Sequence, residues 1–426
     1  MSRCSSLLVV VVISTVAMGG CSPAPASDML CTNETVGLTL PDNFCAIVVA
    51  DEIGPARHLT VSDNGDVFVA LAARRNTSGG VIVLRDTTGD GVADVESRFA
   101  GGAGDDVEFR GGYLYYATND AIMRYPWSAG AMRPTSPPDT IVSGLPAAPS
   151  HRAKSFAFGG DGALYVNIGS PSNSCQRAER QDRSPGIDPC PQLETRAGIW
   201  RFEADQLGQR QRDGRRFATG MRNTVALTVR PADSQLYGVI HGRDQLLQNW
   251  GNLFDDVQSA EKPAEEFVRI EDGNNFGWPY CYYDPELERK VLAPEYGGDG
   301  TTEGRCAEMD PPLIGFPGHW APDGIHFYGG NQFPLRYRGG AFVAFHGSWN
   351  RDPRPQAGYN VVFVPFDADG PSGDYEVFAT GFSTDPPNVS GPHRPVGVAE
   401  GPDGSLYISD DSGGRIYRIL YVGDDR

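Results

Sequence analysis

The chain has 426 residues, of which 40% are hydrophobic and 10% aromatic, so it can bury a large core and is not predicted to be disordered. Its 53 glycines and 33 prolines favour turn-rich β-structure over helical bundles or coiled coils. The formal charge of -18 disfavours nucleic acid and anionic membrane surfaces as partners.

The N-terminus has the pattern of a secretory leader. Arg3 precedes an apolar run over residues 7–18, which is too short to span a bilayer. Two glycines directly precede Cys21, so we predict a lipoprotein-type signal peptide over residues 1–20, with Cys21 as the lipidated N-terminus. An ordinary secretory signal cleaved nearby is the alternative. The predicted location is therefore the cell envelope, periplasm-facing or at the cell surface, with residues 21–35 as a tether and the membrane contacted only through the lipid anchor.

Six cysteines follow Cys21, and secretion places them in an oxidising compartment. Six cysteines allow fifteen pairings, but these fall into three pairs that each bracket a short segment. The simplest hypothesis is therefore three local disulfides, Cys31–Cys45, Cys175–Cys190 and Cys281–Cys306.

One short pattern recurs six times along the chain: an apolar strand, an Asp/Asn/Gly-rich turn and an apolar-aromatic strand. The copies are residues 59–69, 107–116, 156–166, 227–237, 325–343 and 396–407. Each copy is typical of a β-hairpin, and each is followed by a further β-rich run. Units that cannot bury both sheet faces alone stack around an axis, so we predict an all-β, six-bladed β-propeller.

The propeller is predicted to occupy residues 36–426 as a single domain. The early strand over residues 45–49 is expected to close the ring by pairing with the last blade. The fourth and fifth units are the longest, and their surplus is predicted to form polar loops over residues 245–263 and 284–322.

Residues adjoining the hairpins should lie at one end of the central channel. Four such segments carry His or Arg side chains: residues 150–154, 220–223, 241–244 and 391–395. Here the sequence resembles the soluble aldose sugar dehydrogenases that depend on pyrroloquinoline quinone (PQQ), most closely their L-sorbosone dehydrogenase-like branch. The most specific motifs are the His151 segment (residues 150–154) with residues 158–166, and residues 220–223, 277–282, 346–351 and 402–407; the resemblance covers roughly residues 40 to 422.

The resemblance implies a PQQ-dependent oxidoreductase that oxidises a sugar, or a related alcohol or hemiacetal, and passes electrons to an external acceptor. His151 matches the catalytic base that takes the hydroxyl proton while hydride passes to the quinone, and a histidine suits this role because it is largely neutral near pH 7. The positions assigned to cofactor binding are Arg222, Asn223, Arg394 and Lys154. Because PQQ is a tricarboxylate, a net acidic protein needs local arginines to bind it.

Two candidate calcium sites are predicted. The resemblance implies that the backbone carbonyls of Gly242 and Arg243 bind a calcium ion that polarises the quinone. The second candidate is the loop that carries Asp86, Asp90 and Asp94, whose oxygen side chains are spaced as in calcium-binding loops. The alternative for this loop is a polar turn.

Two other functions compete with the dehydrogenase. A propeller without a cofactor would bind a glycan or a protein partner, and a calcium-dependent lactonase would need several carboxylates that converge on the channel. The sequence also departs from the aldose enzymes at Ser170, where the resemblance implies an aspartate that orients the catalytic histidine.

Overall fold

The computed structural model describes residue 31 and residues 36–74, 77–147 and 150–424. Strand β1 (Phe44–Ala50) precedes the blades. The first blade contains β2 (Ala56–Val61), β3 (Val67–Leu71), β4 (Gly80–Arg85) and β5 (Val95–Phe99). The second contains β6 (Gly104–Arg110), β7 (Tyr113–Thr118), β8 (Ala121–Pro126) and β9 (Asp139–Ser143). The third contains β10 (Phe156–Phe158), β11 (Ala163–Ile168), β12 (Gly198–Glu203) and β14 (Arg215–Thr219), while β13 (Gln209–Arg210) pairs in parallel with β9.

The fourth blade contains β15 (Ala226–Val229), β16 (Leu236–Ile240), β17 (Glu265–Ile270) and β20 (Ile314–Phe316). Inserted within it are α1 (Leu246–Trp250), α2 (Asp256–Glu261) and the hairpin of β18 (Cys281–Asp284) and β19 (Arg289–Leu292). The fifth blade contains β21 (Pro322–Phe327), β22 (Ala341–Phe345), β23 (Asn360–Val364) and β24 (Glu376–Ala379). The sixth contains β25 (Pro395–Glu400), β26 (Leu406–Asp410), β27 (Ile416–Tyr421) and β1.

These sheets confirm the predicted all-β, six-bladed propeller. The ring closes as expected, because β1 pairs antiparallel with β27, with Cys45 opposite Leu420. The two segments predicted as long polar loops are more structured than expected, since residues 245–263 contain α1 and α2 and residues 284–322 contain β19 and β20. The elements are short, five or six residues for each helix, and so leave little periodic signal in the sequence.

Six hydrophobic clusters hold the ring together, one between each pair of neighbouring blades. Strand β3 shows the pattern: Phe68 packs toward the second blade, and Val69 packs toward the sixth. Because successive side chains of a strand point to opposite faces, a sheet covered on both faces is apolar along its whole length. No helix in the described part of the chain is long and apolar enough to cross a membrane.

The three disulfides have the predicted local pairing, Cys31–Cys45, Cys175–Cys190 and Cys281–Cys306. The first joins the segment before the propeller to β1, and the other two lie in the long connections of the third and fourth blades. The predicted leader and most of the tether lie outside the described residues.

Replacing both Cys281 and Cys306 with serine is expected to lower the free energy of unfolding by about 2–4 kcal/mol, because the bridge restricts the unfolded chain. The loop it closes has a sequence separation of 25, against 15 for Cys175–Cys190, so the loss should be larger by about 0.5 kcal/mol than in the matched Cys175/Cys190 double variant. Denaturant unfolding of both variants measures the difference. Free thiols in the oxidised wild-type protein would contradict the pairing.

Candidate active site

The predicted site residues lie at one end of the central channel, where the innermost strand of each blade begins. His151 precedes β10, Arg222 and Asn223 precede β15, and Arg394 directly precedes β25. The segment of residues 241–244 follows β16 and reaches the same end, because adjacent antiparallel strands begin and end on opposite sides. The propeller therefore brings together residues that are far apart in sequence.

A backbone carbonyl fixes the orientation of His151. Its Nδ1 lies 2.7 Å from the carbonyl oxygen of Ser170 and 3.1 Å from the Ser170 hydroxyl. Since a carbonyl only accepts hydrogen bonds, Nδ1 carries the proton and Nε2 presents a lone pair. His151 has a left-handed backbone with φ of 47°, and a Cβ at Gly169 would lie 2.5 Å from the His151 Cβ. Gly169 therefore permits the close approach that positions the ring.

His151 is neutral in its surroundings. Burial and, to a smaller extent, the neighbouring positive charge of Arg222 together lower the pKa of His151 to about 3. The Nε2 lone pair is therefore available to accept a proton over the whole neutral range.

Arg222 is held by two hydrogen bonds and keeps one donor unused. Nη1 donates to the carbonyl of Gly242 at 2.8 Å, and Nη2 donates to the Asp244 carboxylate at 2.8 Å. Its Nε is buried without a hydrogen-bond partner. Asn223 is fixed beside it, because its Oδ1 accepts a hydrogen bond of 3.1 Å from Asn167. An unpartnered guanidinium N–H in a buried site is a ready donor for an oxygen of a ligand.

Asp244 connects the loops around the site, a role that the sequence analysis did not assign. Its carboxylate binds Arg222 at 2.8 Å, Arg180 at 2.7 Å and the side-chain amide of Asn350 at 2.9 Å. Burial alone would raise the pKa of Asp244, but the charges of Arg222 and other neighbours outweigh burial and hold the pKa well below its usual range. The fixed carboxylate therefore positions Arg222.

Arg394 and Lys154 have protein partners at this end of the channel. Arg394 donates from Nε to the carbonyl of His346 at 2.9 Å, and its guanidinium lies over the ring of Tyr359. The Lys154 side chain is fully buried and donates to the carbonyl of Arg152 at 2.6 Å. Burial lowers the pKa of Lys154 to about 8. These carbonyl partners use only part of the donor groups of the two side chains, since an ammonium has three N–H groups and a guanidinium five.

Two further carboxylates face this end of the channel and were missed by the sequence analysis. Asp323 lies 3.2 Å from Arg57 and 3.3 Å from Nε2 of His241. Asp411 lies 2.8 Å from Nε2 of His346, 2.9 Å from Arg74 and 3.3 Å from Arg57. The partners come from different blades, so sequence spacing holds no signal for them. The only available hint is their position at the start of β21 and just after β26.

The comparisons with known proteins identify the family. The TrAA12-like family model matches residues 38–421. The chain belongs to the TrAA12-like family.

This TrAA12-like protein is 32% identical over 205 residues to an uncharacterized protein of Borreliella burgdorferi, a match that covers 48% of each chain. It is 30% identical over 292 residues to a pyrroloquinoline quinone-dependent pyranose dehydrogenase of Coprinopsis cinerea, covering 60% of this chain and 37% of that protein. The matches thus span less than half the length of these relatives. The solved holo form of the PQQ domain of the Coprinopsis cinerea pyranose dehydrogenase superposes with a TM-score of 0.71 at 21% identity, covering 90% of this chain and 97% of that chain. The predicted resemblance to PQQ-dependent sugar dehydrogenases is confirmed at the level of the family.

The residues of this TrAA12-like protein fit PQQ. Arg222 offers its unpartnered Nε beside His151, and Arg74 contributes a half-exposed guanidinium at the same end of the channel. Carboxylates and quinone oxygens are acceptors that match such planar donors.

The predicted calcium site at Gly242 and Arg243 does not fit the arrangement as it stands. The Gly242 carbonyl already accepts the hydrogen bond from Arg222, so calcium at that oxygen would lie against a guanidinium. The Arg243 side chain points into a buried ion pair with Glu295 at 2.6 Å. We therefore derive no chemical step through calcium.

The loop of Asp86, Asp90 and Asp94 is a hydrogen-bonded turn. The Asp86 carboxylate accepts hydrogen bonds from the backbone of Thr88, Gly89 and Gly91, and Asp94 accepts two from Thr87. Among the described residues no group of three or more His, Cys, Asp or Glu side chains is arranged to hold a metal ion. The structure thus does not assemble the three carboxylates as a calcium site, because each serves a backbone amide of its own loop.

Proposed function

We propose that the protein is a PQQ-dependent oxidoreductase that oxidises a sugar, or a related alcohol or hemiacetal, with His151 as the catalytic base. The observation that carries the proposal is the pairing of a neutral His151, oriented through Nδ1, with an Arg222 that has a buried unpartnered donor. Membership of the TrAA12-like family supports it, as does the likeness to a protein described as a pyranose dehydrogenase.

The alternatives are less well supported. A propeller that only binds a glycan or a protein would not require a buried, neutral histidine beside an arginine, and the relative from Coprinopsis cinerea is described as a dehydrogenase. A lactonase would need carboxylates free to hold calcium, whereas Asp244, Asp323 and Asp411 are all engaged in ion pairs with arginines.

Each residue has a defined task in this proposal. PQQ, when bound, supplies the quinone that accepts the electrons of the substrate. His151 accepts the substrate hydroxyl proton at Nε2, and the Ser170 carbonyl keeps Nδ1 protonated and the ring oriented. Arg222 and Asn223 would hold the carbonyl side of the quinone, and the ion pair with Asp244 keeps Arg222 in place. The positive charge of Arg222 disfavours protonation of His151. The negative charge of a bound tricarboxylate would oppose this effect, raise the pKa of His151 and assist proton transfer from the substrate hydroxyl.

Titration of the purified protein with PQQ tests the proposal, with and without calcium. We expect saturable binding of one PQQ per chain, a change in the absorption of the quinone and sugar-dependent reduction of an artificial electron acceptor. Calcium at the Gly242 and Arg243 carbonyls stays a prediction, and the parallel titration in a chelator tests whether PQQ binding depends on calcium at all. If PQQ does not bind at micromolar concentration in either condition, the proposal is wrong and the alternative of a propeller that binds a glycan or a protein partner is favoured.

Arg222→Gln is expected to weaken PQQ binding by about 10- to 100-fold, the effect of losing one charge-assisted hydrogen-bonding group. Arg222→Lys should weaken PQQ binding less, since lysine keeps the positive charge although it lacks the planar guanidinium with its paired donors. Arg212→Gln, which changes an exposed arginine in the 3-10 helix Gln211–Asp213, is the matched control. Equilibrium titration followed by absorption gives the dissociation constants, and equal constants for wild type and Arg222→Gln would remove Arg222 from the site.

We further propose that Cys21 anchors the protein in the cell envelope through a lipid. Cys21→Ser should shift the protein from the membrane fraction to a soluble or unprocessed form, because stable anchoring needs more than one acyl chain. Membrane fractionation measures the shift, and an unchanged distribution would contradict the anchor.

A further inference from the structure

One aromatic side chain of the protein is exposed to solvent. The sequence contains 6 tryptophans, 17 tyrosines and 20 phenylalanines, and all of them lie in the described part of the chain. Among these only Trp349, in the motif over residues 346–351, is exposed, with 54% of its surface accessible. A single exposed apolar side chain is common on protein surfaces, so the surroundings of Trp349 decide whether it belongs to a site.

Buried neighbours hold Trp349 on both sides. The side chain of Ser348 is fully buried, and its hydroxyl donates to the side chain of Gln356 at 2.6 Å. On the other side, the buried Asn350 donates from its side-chain amide to the Asp244 carboxylate at 2.9 Å. The exposed indole is therefore carried by a segment whose flanking side chains are fixed.

Arg180 lies against the ring of Trp349. Its guanidinium carbon is 5.8 Å from the centre of the ring, a distance at which a cation is attracted to the π-electrons. Two hydrogen bonds fix this guanidinium, since Nη2 donates to Asp244 at 2.7 Å and Nη1 donates to the side chain of Gln245 at 2.7 Å. Arg180 belongs to the long connection of the third blade, whereas Trp349 follows β22 of the fifth. Two blades thus build one surface.

This surface adjoins the candidate active site. The oxygen Oδ2 of Asp244 accepts hydrogen bonds from both Arg180 and Arg222. Strand β22 ends at the end of the channel where β21 begins, because the two strands are antiparallel. Trp349 therefore lies at the same end as His151, and the contacts that connect them pass through Arg180, Asp244 and Arg222.

The chemistry of this surface matches a sugar ring. One face of a pyranose carries C–H groups, which pack on the electron-rich face of an aromatic ring, and its edge carries hydroxyls that accept hydrogen bonds from a guanidinium. The side chain of Arg180 is 34% exposed, so its remaining N–H groups are accessible to a ligand. An anion would pair with Arg180, but the electron-rich face of Trp349 would repel it.

We propose that Trp349 and Arg180 form a binding subsite for a second sugar ring, next to the ring whose hydroxyl proton passes to His151. The inference rests on the proposed sugar oxidation and adds a substrate class to it, which is a disaccharide or a longer saccharide. Its basis is the place of Trp349, which is connected to the site without contacting His151. The ring that reacts would therefore leave the indole free for the neighbouring ring of the same saccharide.

Steady-state kinetics of the PQQ-loaded protein tests the subsite, with D-glucose compared with cellobiose and maltose, and D-xylose compared with xylobiose. We expect kcat/KM for at least one disaccharide to exceed that for its monosaccharide about tenfold, the effect of one aromatic contact. Trp349→Ala should abolish this preference by raising KM for the disaccharide about tenfold at similar kcat, because the second ring takes no part in the reaction. Trp349→Phe keeps an aromatic face and should retain most of the preference.

Calorimetry on protein loaded with dithionite-reduced PQQ measures binding without turnover, and Trp349→Ala should weaken the binding of the preferred disaccharide about tenfold. Leu335→Ala is the matched control. It also removes an exposed apolar side chain, but Leu335 is 73% exposed between β21 and β22, at the opposite end of the channel. This variant should keep the preference, and thermal unfolding of both variants reports correct folding.

Equal preference in the wild type and Trp349→Ala, or a wild type that prefers none of the disaccharides, would overturn the subsite and leave the proposed oxidation intact. A higher KM for the artificial electron acceptor in Trp349→Ala, at unchanged KM for the sugar, would also overturn it and assign Trp349 to the acceptor. Absence of PQQ binding or of any sugar oxidation in the wild type would instead contradict the proposed function, and the subsite with it.

Discussion

Replacing His151 with glutamine is expected to lower the turnover of the PQQ-loaded protein by about two to four orders of magnitude, the usual contribution of a positioned general base. The substitution removes the Nε2 lone pair that accepts the substrate proton. PQQ should still bind, because Arg222 and Asn223 keep their partners Asp244 and Asn167. Steady-state kinetics together with a PQQ titration separates the two effects.

Ser170→Ala is the matched control for this experiment. It removes the hydroxyl at 3.1 Å from the His151 ring and keeps the carbonyl at 2.7 Å, which we infer to hold the Nδ1 proton. Its effect on turnover should therefore be much smaller than that of His151→Gln. Equal activity of the wild type and His151→Gln, with PQQ bound in both, would refute the proposed mechanism.

The pH dependence gives an independent check on His151. Its pKa is lowered below that of a free histidine, so the base is lost only when the pH falls well below 6.5. The acidic limb of the activity profile should therefore lie below pH 6.5, at a position that the negative charge of bound PQQ moves upward from the pKa of the cofactor-free protein. Arg222→Gln removes a positive charge that lowers the pKa of His151, and the limb should move to higher pH. A limb that stays in place would mean that another group controls the rate.

The fold could be predicted because its main signal is local and repeated. Each hairpin, such as residues 156–166, carries its own turn residues and alternation, and the ring then follows from the need to cover both sheet faces. The insertion in the fourth blade gave no such signal. Its helices α1 and α2 and the hairpin of β18 and β19 are held by contacts with one another and with the Cys281–Cys306 bridge.

The site could be predicted only in part, for a physical reason. His151 and Arg222 belong to motifs that carry the family resemblance, so their side chains are visible in the sequence. The group that orients His151 is the carbonyl of Ser170, and every residue has a carbonyl. The missing aspartate at position 170 therefore does not leave the histidine unoriented.

The largest effect on stability is expected at Arg243. Arg243→Met should lower the free energy of unfolding by about 3–5 kcal/mol, because it leaves the carboxylate of Glu295 buried without its cation. The Glu295 side chain is fully buried, and Arg243 donates to both of its oxygens at 2.6 Å. The remaining donors are Trp250 at 2.9 Å and Ser174 and Gln176 at 3.2 Å, all of them neutral.

Denaturant unfolding of the protein without PQQ, in the presence of a chelator, measures this loss apart from any cofactor or metal. The control is Arg305→Met, which breaks an ion pair with Asp188 whose two side chains are 45% and 44% exposed, and it should cost at most about 1 kcal/mol. Adding Glu295→Gln to Arg243→Met should recover part of the loss, since the uncompensated charge is removed. A small effect of Arg243→Met would mean that water reaches Glu295. Arg243→Met keeps the backbone carbonyl at position 243. If calcium still binds to this variant, the arginine side chain is not needed for calcium binding. Its task is then structural, because it holds the loop behind Asp244 against the insertion of the fourth blade.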